Sequence, residues 1–409
     1  MEDHYDVIIV GGSANGAQTA RSIAEEGLSV LVIEDHPEIG LPEHCSGLFS
    51  YSGLEILDSI PPDDIIYNHD IYGARLIAPN GKTLTVRKQE RHALVCNRAA
   101  FDKFLIEKAK LLGAEILQPY RATDAFRNNG MIEVVAHDRS GDKISVSGKI
   151  LISAEGIRGK IASKLGLSPP SKKSLVNAAQ FFIRGLSDLD PQLVEVYQTQ
   201  EFAKDFFGWI IPMDHETAKV GLGTSHQGAA KALEQMMQNH PVLSRKVEGG
   251  DVFYRIAGRI PVTGPVKRTY ADNFLLVGDV AGQTKPTTGG GVILGGIAGR
   301  IAGKVAVEAI RAGRTDAKFL KRYEKRWKKQ MYRNLFLQRK VRNYMNLLSD
   351  REMNQFFDKL EDKGLLRKIE EHGDVDNQGK LAIKLLTTFS LYPYYLRTSL
   401  KLLKAVLQK

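Results

Sequence analysis

Asp6-Val7-Ile8-Ile9-Val10-Gly11-Gly12-Ser13-Ala14-Asn15-Gly16 decides the fold, because a short apolar, β-branched run feeds without a break into a glycine-rich turn. The run has no polar alternation, which predicts a strand buried on both faces of a parallel sheet. A helical pattern over 17–26 follows, Gly27 closes it, and 28–34 repeats the buried-strand pattern and ends in Glu34. Together these form a βαβ unit of the length expected for dinucleotide binding. Gly11 and Gly16 occupy the first and third glycine places of the fingerprint, and Ser13 occupies the second. Gly11, Gly12, Ser13, Ala14, Asn15 and Gly16 are therefore predicted to cradle a pyrophosphate at a helix N-terminus. Glu34 stands eighteen residues after Gly16, where a carboxylate accepts from a ribose hydroxyl and disfavours a 2′-phosphate.

The rest of the chain must supply more than this unit. At 409 residues it exceeds what a single core usually serves, and two or three packed units are expected. A composition of 43% hydrophobic and 25% charged residues is that of an ordinary globular protein. Two cysteines, Cys45 and Cys96, cannot staple a chain this long, which points to a reducing cytoplasm. The acidic start runs straight into a strand without a basic and then apolar leader, so no export signal is expected. No stretch of eighteen apolar residues predicts a spanning helix. The net charge of +10 is uneven: residues 318–409 hold 22 Lys+Arg against 10 Asp+Glu. A basic segment meets nucleic acid, anionic lipid or solvent, and charge alone does not choose. No nucleic-acid motif accompanies it, so no nucleic-acid partner is expected.

Three further segments bear on the cofactor. Lys149-Ile150-Leu151-Ile152-Ser153-Ala154-Glu155-Gly156 is a strand ending in an acid and a glycine. Asn273-Phe274-Leu275-Leu276-Val277-Gly278-Asp279-Val280-Ala281-Gly282 ends another strand and leads to Lys285-Pro286-Thr287-Thr288-Gly289-Gly290-Gly291 and a small-residue helix over 295–305. Arg98 opens a helical pattern over 99–112. In this order the motifs resemble the flavoprotein fold shared by aromatic hydroxylases and geranylgeranyl reductases. The resemblance implies FAD, with Asp279 on the ribityl chain, and the free N–H groups of the turn Gly289, Gly290, Gly291 and Val292 at a helix start suit an electron-rich flavin edge or a phosphate oxygen. It also puts Arg98 near the cofactor, and sets Glu155 with Gly156 in the place of the family's Asp-Gly pair. The implied fold class is α/β: a Rossmann-like FAD-binding domain (1–60, 90–164, 265–315), an inserted antiparallel β-sheet substrate domain (61–89, 165–264), and a basic helical C-terminal segment (316–409).

Two segments resemble the geranylgeranyl reductases in particular. Phe206-Phe207-Gly208-Trp209-Ile210-Ile211-Pro212 is similar to their aromatic-x-Trp-x-aromatic-Pro motif, with Ile211 replacing the second aromatic. Phe207, Trp209 and Pro212 are thereby implied as substrate-channel residues, the ordinary alternative being strand core. Gly40-Leu41-Pro42-Glu43-His44-Cys45-Ser46-Gly47 resembles their Pro-x-x-Cys-x-Gly stretch, which implies a Cys45 beside the reactive face of the flavin. Cys96 reads as a small buried hydrophobe. The implied activity is FAD-dependent hydrogenation of isolated C=C bonds in geranylgeranyl chains, favoured as those of an archaeal-type ether phospholipid. Hydride from the flavin then needs a proton from Cys45, His44 or an ordered water. The electron donor is NADPH, ferredoxin or a deazaflavin. The alternatives are an aromatic monooxygenase and a non-catalytic flavin-binding scaffold at a membrane.

The C-terminal segment offers an amphipathic helix over 318–348, with Leu320, Tyr323, Trp327, Met331 and Leu335 on one stripe among lysines and arginines. Such a stripe either lies on anionic lipid or packs on the protein body. The mixture of aromatics, leucines and lysines over 381–407 fits an interfacial position. The expected location is cytoplasmic, peripheral on the inner face of the cell membrane.

Overall fold

The structure, a computed structural model, describes residues 4–361, 363–373, 376, 381, 384–385, 387–388 and 391–408. It divides into two compact units, residues 1–43, 98–174 and 261–335 in one and 44–97, 175–260 and 336–409 in the other.

Among the described residues, the first unit holds an eight-stranded sheet whose centre is His4–Val10, between Lys143–Ser153 and Val30–Ile33. Both of those pairings are parallel, and Phe274–Leu276 adds to Lys143–Ser153 in the same sense. Val7, Ile8 and Ile9 are fully buried, as a continuous β-branched run in a doubly covered sheet requires. One covering layer pairs helix Ala14–Ala24 with helix Val292–Arg311. Gly295, Gly299 and Gly303 line their contact, where added Cβ atoms would run into Asn15, Thr19 and Ser22. The small-residue pattern is thus a close backbone approach at four-residue spacing.

The second unit holds a seven-stranded sheet in the order Asp251–Pro261, Leu175–Arg184, Thr217–Thr224, Gly208–Pro212, Leu193–Tyr197, Gly73–Ile77, Thr83–Arg87. The expected antiparallel pairing holds at most joints. Leu193–Tyr197 and Gly73–Ile77 instead pair in parallel, because two insertions far apart in sequence meet there. A three-stranded sheet of Leu48–Ser50, Ala93–Cys96 and Ile66–Ile71 holds the other strands found among the described residues.

The units cut the chain differently from the boundaries expected at 60, 90 and 316. Leu48–Ser50 pairs with Ala93–Cys96, which draws 44–97 into one body. Helix Ala317–Trp327 does not begin a separate segment. Leu320, Tyr323, Trp327 and Leu335 are fully buried, and Met331 nearly so. The stripe therefore packs on protein and leaves the basic face to solvent, which decides between the two readings. From 336 onward, Tyr344, Leu348, Met353 and Phe357 instead share a core with Ala78, Leu84 and Val86. Of the leucines and aromatics over 381–407 that fit an interfacial position, Leu386 and Phe389 lie outside the described residues.

Candidate active site

In the first unit the turn after His4–Val10 is shaped by what its residues lack. Gly11 has φ +102°, and a Cβ there would strike the Ala154 carbonyl, while one on Gly16 would strike the Gly11 carbonyl. The turn is thereby pressed against the 154–155 loop and against its own helix. The Gly12 N–H donates to Glu34 Oε2 at 2.7 Å, and the His36 N–H donates to Oε1 at 3.0 Å. Glu34 is buried, yet a carboxylate has about four acceptor positions and retains capacity for a ribose hydroxyl. Ser13, at the N-cap of Ala14–Ala24, makes no side-chain cap, so the first-turn N–H groups stay available. Asn15 Oδ1 is buried without a hydrogen-bond partner beside Gly278 and Gly295.

A second loop carries Asp279 in the turn Gly278–Ala281. Among the described residues no protein donor reaches its carboxylate, and burial pushes the acid upward while the Arg98 charge opposes this. A Cβ on Gly291 would lie 2.9 Å from Asp279 Oδ1, so Gly291 keeps that flank of the carboxylate bare. Helix Val292–Arg311 starts at Gly291, again with no side-chain cap. Gln283 accepts the Gly278 N–H at 2.8 Å and donates to Tyr323 Oη, which donates to the Leu276 carbonyl at 2.7 Å. Helix Ala317–Trp327 thus clamps the Asp279 turn.

Arg98 opens helix Arg98–Lys110 and forms a bidentate pair with Asp102, at 2.9 and 3.0 Å. Asp102 is buried and was not foreseen, although a carboxylate four residues after an arginine on a helix was a usable signal. Glu155 turns inward: it accepts from Ser153 Oγ and from the Ile161 and Ala162 N–H groups, capping helix Lys160–Lys164. Its neighbour Gly156 has φ +66° and begins the short turn to that helix.

In the second unit, Trp209 and Phe207 are half-buried and Pro212 is buried on or beside strand Gly208–Pro212. Phe206 stacks on Phe207 at 4.3 Å, and Phe207 meets Trp209 edge-on at 5.8 Å. The Trp209 Nε1–H donates to Gln180 Oε1 at 3.0 Å. Trp209 packs on a cluster of Ile71, Ala93, Val95 and Ile211, which Leu48 also joins. His44 is exposed, Cys45 is a half-buried free thiol, and Cys96 is buried in its strand. The Cys96 N–H donates to the Gly47 carbonyl, which pins the end of the Cys45 loop to strand Ala93–Cys96. Lys219, fully buried, points at the same place: its Nζ donates to the Cys96 carbonyl at 3.3 Å and sits 5.1 and 5.0 Å from the Tyr67 and Phe182 rings. A lone lysine inside an apolar strand was the signal for it.

The first unit's donors and acceptors fit a dinucleotide cofactor. Bare helix N-termini suit phosphate oxygens, unpaired carboxylate positions suit hydroxyls, and the glycine turns leave room for close approach. This arrangement defines a dinucleotide-binding α/β protein. The "FAD binding domain" family matches residues 4–331. The chain is 34% identical over 367 residues to digeranylgeranylglycerophospholipid reductase 2 of Methanothermobacter thermautotrophicus, covering 88% of this chain and 93% of that one. It is 32% identical over 357 residues to the digeranylgeranylglycerophospholipid reductase of Methanocaldococcus jannaschii, covering 87% and 90%. Among solved structures, a geranylgeranyl bacteriochlorophyll reductase-like protein of Thermoplasma acidophilum superposes with a TM-score of 0.85 at 24% identity, over 98% of this chain and 99% of that one. The chain therefore belongs to the digeranylgeranylglycerophospholipid reductase family of FAD-dependent oxidoreductases. The fold class and the cofactor expected from the motifs hold.

Proposed function

We propose that this protein hydrogenates isolated C=C bonds in the geranylgeranyl chains of an archaeal-type ether phospholipid. The observation that carries the reading is the identity of 34% over 88% of the chain to a reductase named for that lipid class. FAD, when bound and reduced, supplies a hydride. Gly11 to Gly16, Glu34, Arg98 and Asp279 would hold the cofactor, and the N–H groups of Gly289, Gly290, Gly291 and Val292 would meet an electron-rich flavin edge or a phosphate oxygen. Glu155 and Gly156 serve it indirectly, by fixing the loop on which Gly11 rests.

An isolated trialkyl alkene has no carbonyl to draw hydride, so a proton must go to one alkene carbon as hydride goes to the other. We assign the proton to Cys45, with His44 or an ordered water as the substitute donor. Phe207, Trp209 and Pro212 line the path of the chain, whose methylenes are held by area at about 0.8 kcal/mol each. Electrons enter from NADPH, ferredoxin or a deazaflavin, and the protein works peripherally on the inner face of the membrane.

The test is anaerobic. Prereduced protein is mixed with a geranylgeranyl ether phospholipid, and flavin absorbance and lipid mass are followed together. Flavin reoxidation with gain of two hydrogens per double bond is expected. Cys45→Ser should slow it about 100-fold or more, as loss of a positioned acid does, with FAD content unchanged. A flavin that the lipid leaves reduced, but that oxygen and a phenol reoxidise with hydroxylation, would replace this reading with the monooxygenase one. A Cys45→Ser rate equal to the parent's would pass the proton to His44 or water.

A further inference from the structure

The C-terminal helices Tyr392–Arg397 and Ser399–Leu407 bury one face and leave the other bare. Tyr394, Tyr395, Thr398 and Ala405 are buried, with the Tyr394 hydroxyl donating to the Glu352 carbonyl and Thr398 bonded to the Tyr344 hydroxyl. On helix Ser399–Leu407 the residues Leu400, Leu403 and Leu407 recur at steps of three and four, the spacing of one helical face, and Leu396 stands exposed near the end of the preceding helix. In chain order the four leucines are 74%, 81%, 56% and 70% exposed. Four leucines exposed to this degree along one short segment form a patch, which isolated surface leucines do not.

The charges carried by the segment itself share one sign. Residues 391–408 contain Arg397, Lys401 and Lys404 and no acid. Arg397 and Lys404 are exposed, and Lys401 is paired with Glu352. Lys340 donates to the Val406 and Gln408 carbonyls at 2.7 and 2.5 Å, adding a cation where the helix dipole is negative and fixing the end of the stripe.

We propose that this stripe is the membrane-docking surface, its leucines entering an anionic bilayer at the headgroup boundary while Arg397 and Lys404 reach back to the phosphates. The proposal rests on the lipid substrate read above and says which face of the protein meets the membrane holding it. No described helix is long and apolar enough to cross a membrane, and a nine-residue helix with one apolar face and flanking cations is suited to lying in the interface. A second copy fits less well, since a twofold pairing of identical stripes would bring cation rows of one sign together. The stripe of 317–335 is not available for this role, because it is buried.

The experiment compares FAD-loaded parent, a Leu400→Gln/Leu403→Gln/Leu407→Gln variant and an Arg397→Gln/Lys404→Gln variant. Each is sedimented with phosphatidylcholine vesicles with and without phosphatidylglycerol, at low and high salt. The leucine variant should lose more than about tenfold in partition. The charge variant should lose several-fold, and only on phosphatidylglycerol at low salt. Both should keep the parent's flavin absorbance and its anaerobic turnover of detergent-dispersed lipid. A leucine variant that sediments like the parent overturns the proposal. So does a parent dimer, by light scattering, that the leucine changes convert to monomer, because the stripe then belongs to a second copy. Should the triple variant misfold, Leu403→Trp replaces it: brominated lipid must quench its emission, and unchanged emission overturns the proposal. Partition is read without turnover, so a parent that binds vesicles yet leaves the lipid unreduced would sink the reductase reading and spare this one.

Discussion

The two units build their candidate sites from opposite materials. Around Gly11 and Asp279 the decisive feature is missing side chain: Gly11, Gly16, Gly291 and the Gly295, Gly299, Gly303 row let backbone approach backbone and leave donors uncovered. Around Trp209 and Cys45 the decisive feature is polar side chain taken out of water, in Gln180 and Lys219, and elsewhere in the same unit His240 is buried against Tyr197 and Phe202. Glycine turns are intolerant of any addition, and the glycines themselves do not titrate. Buried polar groups tolerate isosteric change and respond to protonation and to loss of a partner. The contrast gives each unit its own way of failing.

The largest effect should come from the first unit. A valine at position 16 would place Cβ on the Gly11 carbonyl, which no rotamer change relieves. Gly16→Val should cost about 4 kcal/mol or more and yield protein without bound flavin, read from visible absorbance and a denaturant curve. A yellow, stable Gly16→Val protein would break the comparison outright.

Next is a pH effect confined to the second unit. Burial pushes the His240 imidazole down to about 4, and Nδ1 accepts from the Val242 and Leu243 N–H groups, which requires that nitrogen unprotonated. Above the ordinary histidine pKa neither folded nor unfolded chain holds the proton. As pH falls from about 6.5 to 4 the unfolded chain gains it and the folded chain does not, so stability declines across that window and levels off below it. The loss amounts to about 3 kcal/mol. His240→Gln should flatten the slope of unfolding free energy between these pH values relative to the parent. An unchanged slope would remove His240 as its source.

These tests also separate what was legible in the sequence from what was not. The βαβ turn, Glu34 and the Asp279 loop could be read because glycine at a collision point and an acid at a strand end leave local marks in the residue string. Glu155 shows the limit of such marks: its acid stands where the motif asks, but the carboxylate is spent on Ser153 and the start of helix Lys160–Lys164. The stripe of 317–335 was equally visible as a stripe, yet periodicity gives an apolar face without its cover. The parallel joint of Leu193–Tyr197 with Gly73–Ile77 joins segments more than a hundred residues apart, and no local pattern encodes that. Lys219 and Asp102 were readable in principle, as a charge where burial was expected and a carboxylate one turn from an arginine.

Asp279 sharpens the comparison within the first unit, since its carboxylate is retained at the expense of stability. Burial raises its pKa, so ionisation disfavours the folded apoprotein, and stability falls as pH rises from the unfolded acid's value through the raised one. Asp279→Asn should therefore stabilise the apoprotein at neutral pH, with the gain vanishing in acid. FAD retention should fall about tenfold to 100-fold, for loss of charge-assisted hydrogen bonds of roughly 1.5–3 kcal/mol. Apoprotein melting and flavin dialysis must move in opposite directions. Movement together would make Asp279 a structural carboxylate.

The smallest effect asks whether Trp209 belongs to the core or to the lipid path. Its Nε1–H is a donor only, so Gln180 must turn its oxygen toward it, and Gln180 Nε2 is left buried with no partner. Trp209→Phe keeps an aromatic ring beside Phe207 and deletes the donor, leaving the whole Gln180 amide unpaired. The expected cost is about 1 kcal/mol, at the low end for a buried group that loses its partner. Trp209→Phe/Gln180→Leu removes both polar ends and should recover most of it, because an apolar pair of similar shape needs no hydrogen bond. If Trp209 is core alone, turnover by the folded fraction is the same in all three proteins. A residue lining the lipid path would instead raise KM for the geranylgeranyl lipid in both variants, including the one whose stability is restored. A single variant as stable as the parent would mean that the Gln180 bond carries no weight, and with it would go the claim that this unit's site rests on buried polar side chains.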